Sequence, residues 1–194
     1  MKTTRTSGIL MAISSLPNKY GIGTFGSSAY QFVEFLQKAS QKYWQILPLG
    51  HTSYGDSPYQ TFSSFAGNPY YIDLDFLKND GLLQESEYAH MHHYSNQVDY
   101  GFVYYYRYPV LRLAFSRFTK SEDYLSFIQA NIEWLEDYAL FMAVRPCFDY
   151  ACWTEWAEDI RKRWGFALDY YRRECYFDIE FYKYLQFNVR EQWD

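Results

Sequence analysis

Hydrophobic and polar positions alternate in character along the first fifty residues in a way that sets out three elements. Gly8–Ser14, GILMAIS, is a short apolar run closed by Ser15 and Pro17, and it reads as a buried strand. LPNKYGIGTFG follows, with three glycines and a proline, and reads as a loop. From Ser28 to Lys38 the period changes: Ala29, Phe32, Val33 and Leu36 fall on one face of a helix, with Ser27 or Ser28 as its N-cap. Tyr43–Leu47, YWQIL, is a second apolar run, stopped by Pro48 and Gly50. Strand, loop, helix and strand in this order predict a βαβ unit and a parallel sheet.

Beyond Tyr71 the pattern is helical. A short helix is expected over Asp73–Asp80, capped by Asp73 and closed by Gly81. Residues 84–101 are polar and without period, and read as irregular. Phe102–Phe118 reads as a helix with Pro109 as a kink or restart. Ser121 caps a further helix carrying Tyr124, Phe127 and Ile128, and Ile132–Val144 continues until Pro146 stops it. Tyr176–Trp193 places Phe177, Phe181, Tyr184, Leu185 and Val189 at helical spacing. There is no internal repeat and no low-complexity linker.

The stretch between these two regions, SYGDSPYQTFSSFAGNPY at residues 53–70, breaks the usual rule for loops. Seven of its eighteen residues are aromatic or proline and Asp56 is the one charge, although Gly55, Pro58, Gly67 and Pro69 mark it as a loop. It begins directly after the second strand, at the end where parallel α/β folds bind ligands. Phe62, Phe65 and Tyr70 are expected to pack as its base, and Asn68-Pro69 to make a turn.

Composition narrows the classes. The 194 residues are 48% hydrophobic and 23% aromatic, enough for a core and in excess of what a core needs. A net charge of −5 without a basic tract argues against nucleic acid, including a single-strand stacking platform. No apolar run reaches the roughly 18 residues of a membrane span, and no cleavage site follows the N-terminal apolar run, so the expected compartment is the cytoplasm. Cys147, Cys152 and Cys175 lack metal-site spacing and read as reduced, buried thiols. His90, His92 and His93 lie in the polar stretch and read as a solvated loop rather than a metal site. A parallel sheet of two strands leaves faces and edges uncovered, which leads to the expectation that residues 1–194 are the N-terminal part of something longer.

Several segments together carry a family resemblance: SGILMAISSLPNKYGIGTFG, QKYWQILPLG, TSYGDSPYQTFSSFAGNPYYIDLD, WLEDYALFMA, WTEWAEDIRKR and FYKYLQFNVREQW. The sequence resembles the 4-alpha-glucanotransferases, also called amylomaltases or disproportionating enzymes, glycoside hydrolase family 77. The resemblance implies an α/β fold: the first part of a (β/α)8 TIM barrel with a mostly helical inserted subdomain, the barrel being incomplete in this chain. Residues 1–74 would be the first barrel units with the aromatic loop, 75–175 a helical insertion walling the cleft, and 176–194 a helix leading back to the barrel. The implied activity is retaining transfer of an α-1,4-glucan segment to the 4-hydroxyl of an acceptor sugar, with no metal or cofactor. The implied partners are maltooligosaccharides and other α-1,4-glucans, with no nucleic acid and no membrane.

Retention requires two carboxyl groups about 5–5.5 Å apart. The family's nucleophile follows an Arg-x-Asp pattern and a further Asp follows a His, and neither pattern occurs here. Ala157-Glu158-Asp159-Ile160 imitates the acid/base motif without its glycine, in a Trp-rich context that matches the insertion, so Glu158 is not expected to be catalytic. No catalytic residue is expected in this chain. Among substrate-binding positions, Tyr59 matches the family's tyrosine that stacks on the sugar at the cleavage point, and Ser57 and Asp56 match polar positions beside it. Tyr54 resembles a tyrosine of a second glucan-holding groove, with Tyr100 as its partner. Pro58 would stiffen the loop. The alternative is a non-catalytic glucan-binding remnant that keeps the aromatic wall and lacks the chemistry.

Overall fold

The computed structural model describes residues 5–52, 55–93 and 95–194. They divide into two compact units: Met1–Phe118 with Asn188–Asp194, and Thr119–Phe187.

In the first unit, β1 (Gly8–Leu10) and β2 (Tyr43–Gln45) pair in parallel, with Gly8 opposite Tyr43, Ile9 opposite Trp44 and Leu10 opposite Gln45. Gly8 is required there, because a Cβ would stand 2.5 Å from the Tyr43 carbonyl oxygen. The Trp44 indole donates to the Met11 carbonyl at 2.8 Å and ties the strand ends together. The apolar run is not strand throughout: Ile13–Ser15 is a 3-10 turn, Leu16 N–H donating to Ile13 and Gly23 N–H to the Ser14 carbonyl. Gly23 backs this turn so closely that a side chain there would overlap Ile13, so the chain is pulled out of the ladder two residues after Leu10. Nor is β1 buried, since Leu10 is 56% exposed.

The connecting helix α1 (Ser27–Lys38) starts as expected within a residue, but its N-cap is Gly26, without a side-chain cap. Ser28 instead donates its hydroxyl to the Pro17 carbonyl at 2.5 Å. A Cβ on Gly26 would collide with the Asp73 carboxylate, which explains a glycine at that cap. Of the expected apolar face only Leu36 is fully buried; Phe32 meets the Trp44 ring edge-on at 4.9 Å, and Val33 is exposed.

Asp73 caps α2 (Leu74–Asn79) as expected, accepting from the Asp75 N–H at 2.9 Å and from the Thr24 hydroxyl at 2.5 Å. Gly81 follows with φ +76°. Residues 84–93 and 95–101 hold more regular structure than the sequence suggests. They hold α3 (Glu85–Tyr88) and a 3-10 turn at Ala89–Met91. Two of the histidines there are exposed, as expected: His90, which meets Tyr106, and His92, which leans on Tyr20; His93 is half-buried and stacks on Phe102 at 4.6 Å.

Helix α4 (Tyr100–Arg117) is capped by Asp99 and runs through Pro109. Its buried stripe, Val103, Arg107, Val110, Leu111 and Ala114, holds it on the unit's core despite the lost backbone donor. Gln192 closes the unit, accepting from the Asp73 N–H at 2.6 Å, and Trp193 meets Phe25 edge-on.

The second unit is helical: α5 (Glu122–Ala130), α6 (Ile132–Val144), α7 (Glu158–Arg161), α8 (Gly165–Glu174) and the greater part of α9 (Tyr176–Trp193). Ser121 caps α5 and Pro146 ends α6 in a 3-10 turn, both as the sequence indicates. Its core joins Ala139, Ala143 and Val144 of α6 to Trp156, Ile160 and Ile179, with Trp156 stacked on Phe141 and Phe148. Phe177, expected on the apolar face of α9, is 77% exposed. The cysteines also depart from expectation. Cys175 is buried, while Cys147 and Cys152 are exposed on turns that leave the core. Glu158 sits on the surface in an ion pair with Lys162 at 2.6 Å. No helix of the described residues is long and apolar enough to cross a membrane.

Candidate functional site

The aromatic loop is pinched at its base. Gly50 and Gly67 form an isolated antiparallel bridge, and Asn68 N–H donates to the Leu49 carbonyl at 2.7 Å. Both glycines are needed at this neck. A Cβ on Gly50 would stand 2.7 Å from the Thr61 hydroxyl, and one on Gly67 would overlap Val189. Asn68 then accepts from the Tyr70 N–H at 3.0 Å, the turn expected of Asn-Pro.

Inside the neck the loop is held by short polar side chains. Ser63 Oγ accepts from the backbone of Phe65 and Ala66, and Thr61 donates its hydroxyl to the Ser63 carbonyl. Ser57 Oγ accepts from the Tyr59 N–H at 3.3 Å, and Gln60 N–H donates to the Ser57 carbonyl. Gly55 and Asp56 turn the chain with positive φ, the latter a conformation that Asp tolerates better than most residues. The outcome at the tip is a Tyr59 side chain in a residue that is 72% exposed. Phe65, expected in the loop's base, is 73% exposed, because its neighbours Ser63 and Ala66 anchor the backbone and leave the ring outside.

A second group stands at the end of β1 and the start of α4. Tyr70 lies between Tyr100 and Tyr108, with ring centroids 6.3 and 6.1 Å away. Ser14 lies near enough to the phenols of Tyr71 and Tyr100 to oppose the effect of burial on them. Burial raises the pKa of all three phenols, that of Tyr71 to about 12, and the negative charge of Asp56 adds to the shift on Tyr70 and Tyr100. The structure therefore brings Asp56 and Tyr100 into one electrostatic neighbourhood and Ser57 and Tyr59 into one turn. Tyr54 lies outside the described residues.

Sequence reasoning missed Arg107. Its guanidinium is fully buried beneath this group, Nη2 donating to the Ile72 carbonyl, with Nε and Nη1 unpartnered. Burial lowers its pKa to about 10, while Asp73, Tyr70 and Tyr20 act to raise it. The signal was present: Arg107 falls on the Val103–Leu111 stripe, a cation in register with the buried face of α4. A polar cleft lined by Asn18, Lys19, Tyr20, Ser28, Asp73 and Asp75 contains none of the expected site residues. Among the described residues no cluster of His, Cys, Asp or Glu has a metal-binding arrangement.

Chemically, the arrangement offers an exposed ring at Tyr59, the Asp56 carboxylate and a patch of phenols, groups able to meet both apolar and hydroxylated surfaces. The family model described as 4-alpha-glucanotransferase, glycoside hydrolase family 77, matches residues 11–194. The chain belongs to this family. Among glucanotransferases similar to it, that of Clostridium butyricum is 48% identical over 187 residues, 94% of this chain and 38% of that protein. That of Streptococcus pneumoniae is 48% identical over 195 residues, 97% of this chain and 39% of that protein. The amylomaltase of Streptococcus agalactiae, solved in complex with acarbose, superimposes with a TM-score of 0.93 at 41% identity, over 98% of this chain and 40% of that one. The chain thus spans about two fifths of the length of the relatives it matches.

Proposed function

We propose that the chain forms the front of a 4-alpha-glucanotransferase. In this reading it supplies the donor-glucan wall of a retaining transferase, which moves a segment of an α-1,4-glucan to the 4-hydroxyl of an acceptor sugar. The observation that carries the reading is the loop following β2. It is anchored at a two-glycine neck and by its own Ser and Thr side chains, and it presents Tyr59 to solvent. A ring held this way offers its face to the C–H side of a pyranose without first having to be ordered. Asp56 and Ser57 stand beside it for sugar hydroxyls, and Tyr100, with Tyr54, forms the second glucan contact. The complex of the Streptococcus agalactiae amylomaltase with acarbose is consistent with an oligosaccharide ligand.

The catalytic carboxylates lie beyond residue 194 in this proposal, and residues 1–194 alone do not disproportionate maltotriose. Residues 1–74 form the opening units of a (β/α)8 barrel, 75–175 a helical insertion, and 176–194 the return to the barrel. Support comes from the exposed apolar residues of the βαβ unit: Leu10, Tyr43, Val33 and Phe35 are each more than half exposed, an arrangement that further barrel strands and helices would cover.

The test is to read the gene past Asp194 and to assay the product on maltotriose. A longer chain that releases glucose and longer maltosaccharides, and loses that activity on Tyr59→Ala with an unchanged melting temperature, fits the proposal. Residue 59 faces solvent, so the substitution is expected to cost less than about 0.5 kcal/mol of stability while lowering transfer at least about tenfold. Unchanged kinetics in the variant would remove Tyr59 from the site. Disproportionation by residues 1–194 alone would place the chemistry inside this chain.

A further inference from the structure

The second unit holds a pair of thiols that the glucan site does not use. Cys147, in the turn after α6, and Cys175, between α8 and α9, have their sulfurs 4.0 Å apart across 28 positions of sequence. A disulfide needs about 2.05 Å, so the two sulfurs have to approach by about 2 Å to bond. The two sulfurs differ in access, Cys147 being exposed and Cys175 buried. They also share a neighbour. Tyr171 feels both thiols, and its ring lies 6.1 Å from that of Phe148, the residue after Cys147. The turn and the α8–α9 junction are thus already packed on one another inside this unit.

We propose that Cys147 and Cys175 are an entering and a resolving thiol, which close to an intrachain disulfide by exchange with a low-molecular-weight disulfide such as oxidised glutathione. The exposed Cys147, as thiolate, attacks one sulfur of the reagent; the reagent's S–S bond breaks and one thiolate leaves, taking a proton from water. Cys175 then gives its proton to solvent and its sulfur attacks Cys147 in the mixed disulfide, expelling the second thiolate. Two protein thiols are oxidised, and one small disulfide is reduced to two thiols. Burial first, and then the neighbouring thiol, push Cys175 up to about 12, so it does not react with the reagent unaided and depends on Cys147 to bring the sulfur to it. Cys152 is the internal control. It is exposed, and hydrogen bonds with Thr154 lower its thiol pKa, so it meets the reagent readily, yet none of the described residues brings a second sulfur to it. The closed bond would enclose residues 148–174, including Trp156, α7 and α8, and would staple the Trp-rich turn to the start of α9.

The experiment treats the purified protein with oxidised glutathione, quenches in acid, blocks free thiols with N-ethylmaleimide under denaturing conditions and maps chymotryptic peptides without reduction. Cleavage at the aromatic residues between Cys147 and Cys152 separates the two. The expected map joins the Cys147 peptide to the Cys175 peptide within one chain and leaves Cys152 carrying one glutathione or one maleimide. Cys152→Ser leaves the cross-link in place, and Cys175→Ser leaves Cys147 carrying one glutathione. A wild-type map with Cys175 alkylated, whether Cys147 is free or glutathionylated, overturns the proposal. So does a bond from Cys147 to Cys152 or between two chains. The wild-type map decides by itself if a serine variant fails to fold.

Discussion

Removing one hydroxyl at a time from around Asp75 tests how the first unit is held together. Tyr20 and Tyr88 are both fully buried and both donate to Asp75 Oδ1, at 2.9 and 2.8 Å. Lys19 approaches Oδ2 at 3.4 Å. A neutral donor to a carboxylate is worth about 1.5–3 kcal/mol when dry. The Asp75 side chain is 36% exposed, so water can replace part of what is lost and the lower end applies. Tyr20→Phe and Tyr88→Phe should each cost about 1–1.5 kcal/mol at pH 7. Because they share one oxygen, the double variant should depart from the sum by about 0.5 kcal/mol or more. The cost must also depend on pH. Burial alone would raise the Asp75 pKa, but the two phenols and Lys19 outweigh it and hold the carboxyl below its ordinary 3.8. A depressed folded-state pKa stabilises the protein above the unfolded value, and the gain disappears as pH falls through the folded one. Urea unfolding of wild type and variants at pH 7 and pH 3 reads both effects. A cost for Tyr20→Phe that is equal at the two pH values, or below about 0.3 kcal/mol at pH 7, would refute the reasoning.

Three other outcomes are expected. Gly67→Ala should cost about 1–3 kcal/mol, because the new methyl meets Val189, and Val189→Ala in the same chain should recover much of it; a chemical-denaturation cycle that shows additivity would sever the contact. Glu87 takes both guanidinium nitrogens of Arg117, at 2.6 and 2.8 Å, as well as the Gln84 N–H, and its pKa falls from 4.5 to about 2. Its contribution is therefore complete above pH 4.5 and lost between there and about pH 2, so Glu87→Gln should flatten the acid limb of the stability curve in that window and leave the midpoint at the lowest pH unmoved. Burial holds the phenols of Tyr20, Tyr88, Tyr124 and Tyr138 above the ordinary 10.0, so above that pH the unfolded chain gives up protons that the folded one keeps. Stability should fall with rising pH by up to about 1.4 kcal/mol per unit for each such group, and a phenylalanine at Tyr124 should reduce the slope by about that amount.

The helices were readable wherever a cap and a period agreed. Asp73 and Gly81 bracket α2, Ser121 opens α5, and Pro146 closes α6, each by local chemistry that no distant residue needs to supply. The strands were half readable. GILMAIS is apolar throughout, and nothing within it says that Gly23, ten residues past Ile13, will press on Ile13 and fold the run into a turn. Burial of the strands departs from expectation for a related reason: apolar composition signals that a face seeks cover, and Leu10 and Tyr43 are more than half uncovered among the described residues. His93 and Arg107 show the opposite case. A polar residue type does not reveal a buried setting, yet His93 stacks on Phe102, and Arg107 occupies a core position where its guanidinium donates to the Ile72 carbonyl.

The aromatic loop makes the same point at the site itself. Its rings suggested a packed base, since burying Phe62 and Phe65 would repay the ordering of a long loop at about 1–2 kcal/mol per residue. The structure distributes that stabilisation differently. Gly50, Gly67 and Asn68 fix the neck through the backbone, and Ser57, Thr61 and Ser63 bond to the loop's own backbone groups. With the backbone held by small polar residues, the rings need not be buried to keep the loop in shape, and Tyr59 and Phe65 remain 72% and 73% exposed. That division of labour gives a consequence separable by mutation. Ser63→Ala removes the acceptor for two backbone donors and should loosen the loop, raising glucan KM with little change in global stability. Tyr59→Ala should leave the loop in shape and remove the surface it presents. Amide exchange at Phe65 and Ala66 distinguishes the two, rising in the serine variant and staying at the wild-type rate in the tyrosine variant; faster exchange in both would mean that the Tyr59 ring itself orders the loop.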